Sequence, residues 1–116
     1  MIFEKEMRDG ITVITVHLKK ATFANADSFR EFLIAAIDDE HDKFIVDFTE
    51  SHYIDSTFLG TLVVCFKKLD CVGADLKLVC NERIEFIICE ITKLSHVLKV
   101  YKSLKDAIDS FAVPHD

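Results

Sequence analysis

Residues 44–60 read FIVDFTESHYIDSTFLG and decide the fold. The apolar run at 44–48 predicts a strand that is covered on both faces, as strands of parallel sheets are. Asp55, Ser56 and Thr57 then stand directly before a helical pattern, where their side chains can cap free backbone N–H groups. Those N–H groups and the helix dipole also attract anions. A hydroxyl at this place favours a phosphate-operated switch over a catalytic centre.

The helix that follows has one apolar stripe and two apolar residues off it. Phe58 lies on the edge of the stripe and Val64 outside it, both close to Ser56 in the sequence. Apolar side chains exposed beside a polar site are candidate anchors for a partner protein. Phe58 could instead cover the edge of the core. The stripe predicted to pack on the sheet consists of Leu59, Leu62, Val63, Phe66 and Leu69.

Upstream of this segment the pattern predicts a hairpin and a first helix. Strand-like runs at 2–7 and 11–18 are joined by Asp9-Gly10, a common hairpin turn. Asn25 is placed to cap the helix, and Asp27 would then fall in its first turn. The apolar face expected for this helix consists of Phe29, Phe32, Leu33, Ala36 and Ile37.

Downstream, strands are predicted at 76–80 and 97–101, each followed by a helix. Asn81 opens the third helix, and Ser103 with Asp106 resembles a capping box that opens the fourth. The inward residues expected for the third helix are Ile84, Ile87, Ile88 and Ile91, and for the fourth Leu104, Ala107, Ile108 and Phe111.

The resulting element order, ββαβαβαβα, predicts an α/β domain with a mixed, mostly parallel sheet packed with helices. All 116 residues fit one domain. Its ordered core is expected at about 2–112, with a loose end at 113–116.

Composition excludes several classes of function. The net charge of −6 counts against direct nucleic-acid binding. No apolar run approaches the length of a membrane span, and the N-terminal residues lack the basic-then-apolar order of a signal peptide. We therefore expect a cytoplasmic protein that does not insert into membranes.

Few residues suggest catalysis, a metal or a cofactor. Cys65, Cys71, Cys80 and Cys89 form no CxxC pair, and the histidines show no metal-ligand spacing, so we expect reduced thiols, no metal and no cofactor. Nucleotide-binding and hydrolase motifs are absent. His52, four residues before Ser56, would be the base of a small serine hydrolase, a remote alternative. Asp55, Ser56 and Thr57 could also simply cap the helix.

The strand at 44–48, followed by Ile54-Asp55-Ser56-Thr57, resembles the signature of STAS-domain anti-sigma factor antagonists. In that family a core strand precedes an apolar residue, Asp-Ser-Ser or Asp-Ser-Thr, and Gly-Leu-Gly. The resemblance implies a bacterial cytoplasmic protein without enzymatic activity that binds an anti-sigma factor, often a serine kinase. Binding releases a sigma factor and so regulates transcription. It further implies phosphorylation of Ser56, reversal by a PP2C-type phosphatase, and a phosphosite shaped by Asp55 and Thr57.

The chain departs from the family pattern at two places near this site. Phe58 replaces a glycine, and residues 18–23 replace a loop of the type Gly-Glu-Leu-Asp that helps to form the family's partner surface. The candidate partner-binding residues are therefore Phe23, Phe58, Thr61 and Val64. An alternative within the fold is a docking subunit of a transport ATPase or a signalling scaffold, in which Ser56 is only a cap.

Overall fold

The computed structural model describes residues 2–38 and 40–112, and the predicted loose end at 113–116 lies outside them. Among these residues there are four helices, α1 Phe23–Ala35, α2 Ser56–Cys71, α3 Glu82–Phe86 and α4 Leu104–Ala112, with α3 continuing into a π-helical segment, Ile87–Ile91. The strands are β1 Phe3–Arg8, β2 Ile11–Val16, β3 Lys20–Ala21, β4 Lys43–Asp47, β5 Tyr53–Ile54, β6 Asp75–Val79 and β7 Lys99–Tyr101.

The main sheet has five strands in the order β1-β2-β4-β6-β7. β1 and β2 are antiparallel, and every other neighbouring pair is parallel. The predicted mixed, mostly parallel sheet is therefore confirmed. The hairpin is also confirmed, since Asp9 and Gly10 both have positive φ angles, 53° and 79°, as a tight two-residue turn requires.

Helices cover both faces of this sheet. Side chains alternate along β2, so that Ile14 and Val16 join the larger core under α1, α2 and α3. Ile11 and Val13 point to the other face and join a smaller core under α4. This two-sided burial explains the almost continuous apolar runs of the central strands.

The smaller core contains a buried lysine. Lys77 is 2% exposed, and its Nζ donates a hydrogen bond to Ser110 Oγ at 2.6 Å. The same Nζ lies 3.9 Å from the centroid of the Phe111 ring. Both partners belong to α4, so the polar contacts of Lys77 reinforce the apolar packing that holds this helix on the sheet.

The first helix begins earlier than the sequence predicted. Thr22 is the N-cap, with its Oγ1 accepting from the Ala24 N–H at 3.3 Å. The Asn25 N–H already donates to the Thr22 carbonyl within the helix, so the assignment of Asn25 as the cap was wrong. Asp27 accordingly lies beyond the first turn, where its charge was expected to meet the helix dipole.

The third helix begins at its predicted cap but changes period. The Asn81 side chain accepts from the Ile84 N–H at 3.1 Å, as expected. After Phe86 the backbone becomes π-helical, which rotates the later residues relative to a 3.6-residue helix. Ile91 is consequently 63% exposed, and the prediction that it faces the core was wrong.

Two short strands were not predicted. β3 and β5 pair in parallel as a separate two-stranded sheet, with Lys20 opposite Tyr53 and Ala21 opposite Ile54. Each strand has two residues, too few for an alternation of polar and apolar residues to be visible in the sequence. Among the described helices, none is long and apolar enough to cross a membrane.

Replacing Leu62 with alanine should destabilise the domain by about 2–5 kcal/mol, because its fully buried side chain would leave a cavity against the sheet. Urea denaturation at constant m value measures the loss. Val64→Ala, an exposed position on the same helix, is the control and should change stability by about 0.5 kcal/mol or less. A loss below about 1 kcal/mol for Leu62→Ala would show that the helix packs through another face.

Candidate functional site

Asp55 joins the N-termini of two helices. It is the N-cap of α2, where its Oδ1 accepts from the Phe58 N–H at 2.8 Å. Its other oxygen, Oδ2, accepts from the N–H of Phe23, the first residue of α1, also at 2.8 Å. One carboxylate therefore satisfies a free N–H group on each helix and lies where both helix dipoles favour a negative charge.

The small sheet brings these two helix ends together. β3 leads into α1, β5 leads into α2, and the two strands are paired side by side. The Asp55 N–H extends this pairing by donating to the Ala21 carbonyl at 3.0 Å. The backbone of Phe23, a residue predicted to contact a partner, is thereby placed against Asp55, which directly precedes Ser56.

Ser56 is the first residue of α2 and is exposed. Its Oγ makes no hydrogen bond to any residue that the structure describes, since Asp55 supplies the cap. The N–H groups of Ser56 and Thr57 also lack an acceptor within the described ranges, as expected in a first helical turn. The hydroxyl is therefore presented to solvent next to two free N–H donors.

The two threonines near the site, Thr57 and Thr61, differ in exposure and in the hydrogen bonding of their hydroxyl groups. Thr57 is exposed, and its carbonyl accepts from Thr61 Oγ1 at 3.0 Å. Thr61 is half-buried and directs its hydroxyl back onto its own helix. Thr57 therefore retains a free side chain beside Ser56, whereas Thr61 offers a partner mainly its methyl group.

Phe58 is fully buried, and its prediction as an exposed partner-binding residue was wrong. Its ring lies 5.1 Å from the Phe29 ring, centroid to centroid, between α1 and α2. The residue that replaces the glycine of the resemblance thus belongs to the core, as the alternative interpretation had it. Burying the Phe58 ring in the core is more favourable than leaving it exposed for a partner, because burial removes a large apolar area from water.

Three exposed apolar residues lie on the elements that carry or adjoin the site, namely Phe23 on α1, Tyr53 on β5 and Val64 on α2. Phe23 is 74% exposed and Val64 44% exposed, as their assignment to a partner surface requires. Tyr53 is also about half exposed, although nothing in the sequence pattern selects it. Its position in a two-residue strand left no periodicity from which its exposure could be inferred.

The loop before the site is fixed by buried polar contacts. Ser51 is fully buried, and its Oγ donates to the Leu18 carbonyl at 2.5 Å. The Asn81 side chain donates to the Ser51 carbonyl at 2.6 Å. Ser51 is therefore inaccessible, whereas His52 is exposed and makes no hydrogen bond to Ser56. A serine hydrolase needs a hydrogen bond between its base and its nucleophile, and this bond is absent between His52 and Ser56.

The cysteines are free thiols in different environments. Cys71 is exposed, Cys89 is intermediate, and Cys65 and Cys80 are buried. Burial raises the pKa of Cys65 to about 11. Burial, aided by the nearby Glu85 carboxylate, raises the pKa of Cys80 to about 12. The described residues contain no group of three or more potential metal ligands.

Comparison with known proteins identifies the family. A family model described as the STAS domain matches residues 3–107. The chain belongs to the STAS domain family. The family predicted from residues 44–60 is thus confirmed.

Individual proteins similar to this STAS domain include a candidate anti-sigma factor antagonist from Thermotoga neapolitana. It is 28% identical over 99 residues, covering 84% of this chain and 87% of the relative. A crystal structure of an anti-sigma factor antagonist from Mycobacterium paratuberculosis has a TM-score of 0.84 at 19% identity, covering 96% of this chain and 93% of that chain.

The same fold occurs in other settings. The Bacillus cell fate determinant SpoIIAA in its phosphorylated form has a TM-score of 0.69 at 18% identity, covering 94% of this chain and 98% of that chain. The murine anion transporter Slc26a9 has a TM-score of 0.76 at 19% identity, covering 90% of this chain but 18% of the transporter. At such identities the likeness shows the fold and leaves the function to the site.

Asp55→Ala should destabilise the domain by about 1–3 kcal/mol, because two helix N–H groups lose their acceptor. Asp55→Asn should cost less, since its single amide oxygen can retain one of the two bonds. Thermal and urea denaturation measure both losses. Asp27→Ala removes an exposed carboxylate from α1 and should change stability by about 0.5 kcal/mol or less. Equal effects of Asp55→Ala and Asp27→Ala would contradict the double capping role.

Iodoacetamide at pH 8 should label Cys71 quickly and leave Cys65 and Cys80 unlabelled in the native protein. Thiolate is the reactive form, and a pKa near 11 leaves about one thiolate per thousand molecules at that pH. Peptide mass spectrometry before and after denaturation in urea provides the comparison. Labelling of Cys80 at the rate of Cys71 would contradict the burial of Cys80.

Proposed function

We propose that this STAS domain is an anti-sigma factor antagonist whose partner binding is switched by phosphorylation of Ser56. The observation that carries the proposal is the exposed Ser56 Oγ, which takes no part in capping because Asp55 performs that role. A serine that served only as a cap would have its hydroxyl bonded to a helix N–H. The names of the similar Thermotoga and Mycobacterium proteins support the same role.

A phosphate on Ser56 is compatible with the fold. It would add about −1.5 to −2 charges near neutral pH. The neighbouring N–H groups of Ser56 and Thr57 and the dipole of α2 favour a negative charge at this point. Asp55 opposes it, but salt screens repulsion between groups near the surface. The domain should therefore stay folded when Ser56 is phosphorylated.

The same phosphate would prevent binding at an interface. It must lose water when a partner covers the site, and it adds negative charge to a chain already at −6. Without a matching arginine on the partner, this cost is several kcal/mol, which lowers affinity about a thousandfold or more. Phosphorylation is thus a switch that acts on binding and leaves the fold intact.

In this proposal the protein is a cytoplasmic binding module without catalytic activity. Its partner is an anti-sigma factor of the serine kinase type, which phosphorylates Ser56 with ATP. A PP2C-type phosphatase restores the unmodified form. Sequestration of the anti-sigma factor releases the sigma factor, so the module regulates transcription without contacting DNA.

A second candidate is a docking module of a larger assembly, such as a transport ATPase or a signalling scaffold. The likeness to part of an anion transporter shows that this fold can be one piece of a longer transport protein. The exposed Phe23 and Val64 would serve such docking equally well. Phosphate transfer onto Ser56 separates the two candidates, because docking alone does not require it.

The test is incubation of the purified chain with ATP and each kinase-type anti-sigma factor of its source organism, followed by peptide mass spectrometry. Ser56 should be modified. Ser56→Ala should bind the same protein without regulation by ATP, whereas Ser56→Asp should fold normally and bind about a thousandfold more weakly. Isothermal titration calorimetry measures the affinities, and circular dichroism checks the fold.

Ser95→Asp is the matched control, because it introduces the same charge at an exposed loop position away from α2. It should bind as the unmodified chain does. Modification of Thr57 with Ser56 untouched would refute the site. Unchanged affinity for Ser56→Asp would refute the electrostatic mechanism and favour the docking module.

A further inference from the structure

An open groove of about 450 Å³ runs between the C-terminal halves of α1 and α2. It is lined by Ile34, Ile37, Val64, Lys67, Lys68, Cys71 and Val72. Its floor is almost entirely apolar, and Val72, at the end of α2, is 64% exposed. Together with Ile34 and Val64, it forms an apolar strip in solvent that no described part of the chain covers.

The groove is positively charged, whereas the protein as a whole is negatively charged. Lys67 and Lys68 are its charged lining residues, and no carboxylate is among them. Neither lysine forms an ion pair with a described residue, and the chain as a whole carries −6. An apolar strip with two unpaired ammonium groups matches a ligand that is apolar on one side and acidic at the flank.

The groove continues the face that carries Ser56. Positions 56, 57, 60, 64, 67, 68, 70 and 71 of α2 are exposed and follow one side of the helix, with Asp70 at the border of that side. Ser56 and Lys67 are about 17 Å apart along the axis at 1.5 Å per residue. A partner that covers Ser56 can therefore reach the groove with a helix of about three turns.

We propose that this groove is a second contact point for the anti-sigma partner and receives an amphipathic helix of that protein. Apolar side chains of that helix enter between Ile34, Val64 and Val72, and its carboxylates pair with Lys67 and Lys68. A helix suits the site because the groove is open along its length and bordered by two helices. The inference rests on the proposed function, since the partner is the protein regulated through Ser56.

The partner arm of the experiment compares affinities for the anti-sigma factor by calorimetry. Val64→Glu and the double variant Lys67→Glu with Lys68→Glu should each weaken binding about tenfold or more. The loss for the lysine variant should shrink at high salt, because screening weakens charge pairs. Phe86→Glu, at a somewhat more exposed apolar position on α3, and Lys93→Glu with Lys102→Glu are the controls and should bind as the wild type does.

The peptide arm needs no partner. Two synthetic helical peptides of about 14 residues would share leucines at spacings of three and four and differ only in flanking Glu or Lys. In ¹⁵N-labelled protein, the acidic peptide should shift the amide signals of Ile34, Val64, Lys67 and Val72, and the basic peptide should not. Equal shifts with both peptides would overturn the charge match, and no shifts at the groove would overturn the site.

The outcomes separate the two proposals. If Ser56→Asp abolishes binding while Val64→Glu and the lysine variant bind normally, the proposed function stands and the groove contact is wrong. If no anti-sigma factor binds, the proposed function fails, and the peptide arm alone decides whether the groove accepts an acidic helix. Concentration-dependent self-association that Val64→Glu abolishes in sedimentation velocity would assign the groove to a second copy and overturn the inference.

Discussion

The Asp55 carboxylate, shared between the first N–H groups of two helices, is the interaction on which the site depends. Each of its oxygens accepts one bond at 2.8 Å, from Phe58 in α2 and from Phe23 in α1. Neutral caps satisfy one helix end each, whereas this charged group stabilises two and benefits from both dipoles. Together with the pairing of β3 and β5, this contact sets the relative position of the two helix ends and hence the surface around Ser56.

Because the Asp55 carboxylate caps α2, the Ser56 hydroxyl is not needed for capping. Ser56 stands at the first helical position with free N–H groups beside it, so a phosphate can be added there without replacing an existing bond. Under the proposed function, this separation of structural and switching roles between adjacent residues lets a charge change act on a binding surface without unfolding the domain. The free hydroxyl of Ser56 therefore depends on the cap that Asp55 provides.

Specific contacts hold helices on both faces of the main sheet. Phe58 and Phe29 fill the space between α1 and α2, which keeps the two capped ends in register. On the opposite face, Lys77 reaches α4 through Ser110 and the Phe111 ring. One side of α2 is exposed to solvent from Ser56 to Cys71, and this side carries both the proposed phosphosite and the proposed helix groove.

The sequence by itself determined the sheet of five strands, the covering helices and the family, because long apolar runs and a strand-to-helix triplet are local patterns. It also selected Ser56, Asp55, Phe23 and Val64. It could not assign Phe58 to the core, since a residue at the edge of a helical stripe faces inward or outward according to what packs opposite it. Phe29 on α1 decided that.

Other features existed only in three dimensions. The pairing of β3 with β5, the second bond of Asp55 to Phe23 and the groove between α1 and α2 each join segments distant in the chain. The π-helical turn that exposes Ile91 could not be predicted either, because the spacing of the apolar residues in this segment suits a regular α-helix. Local sequence patterns determine which faces are apolar, whereas the meeting of distant segments determines which of those faces stay open to a partner.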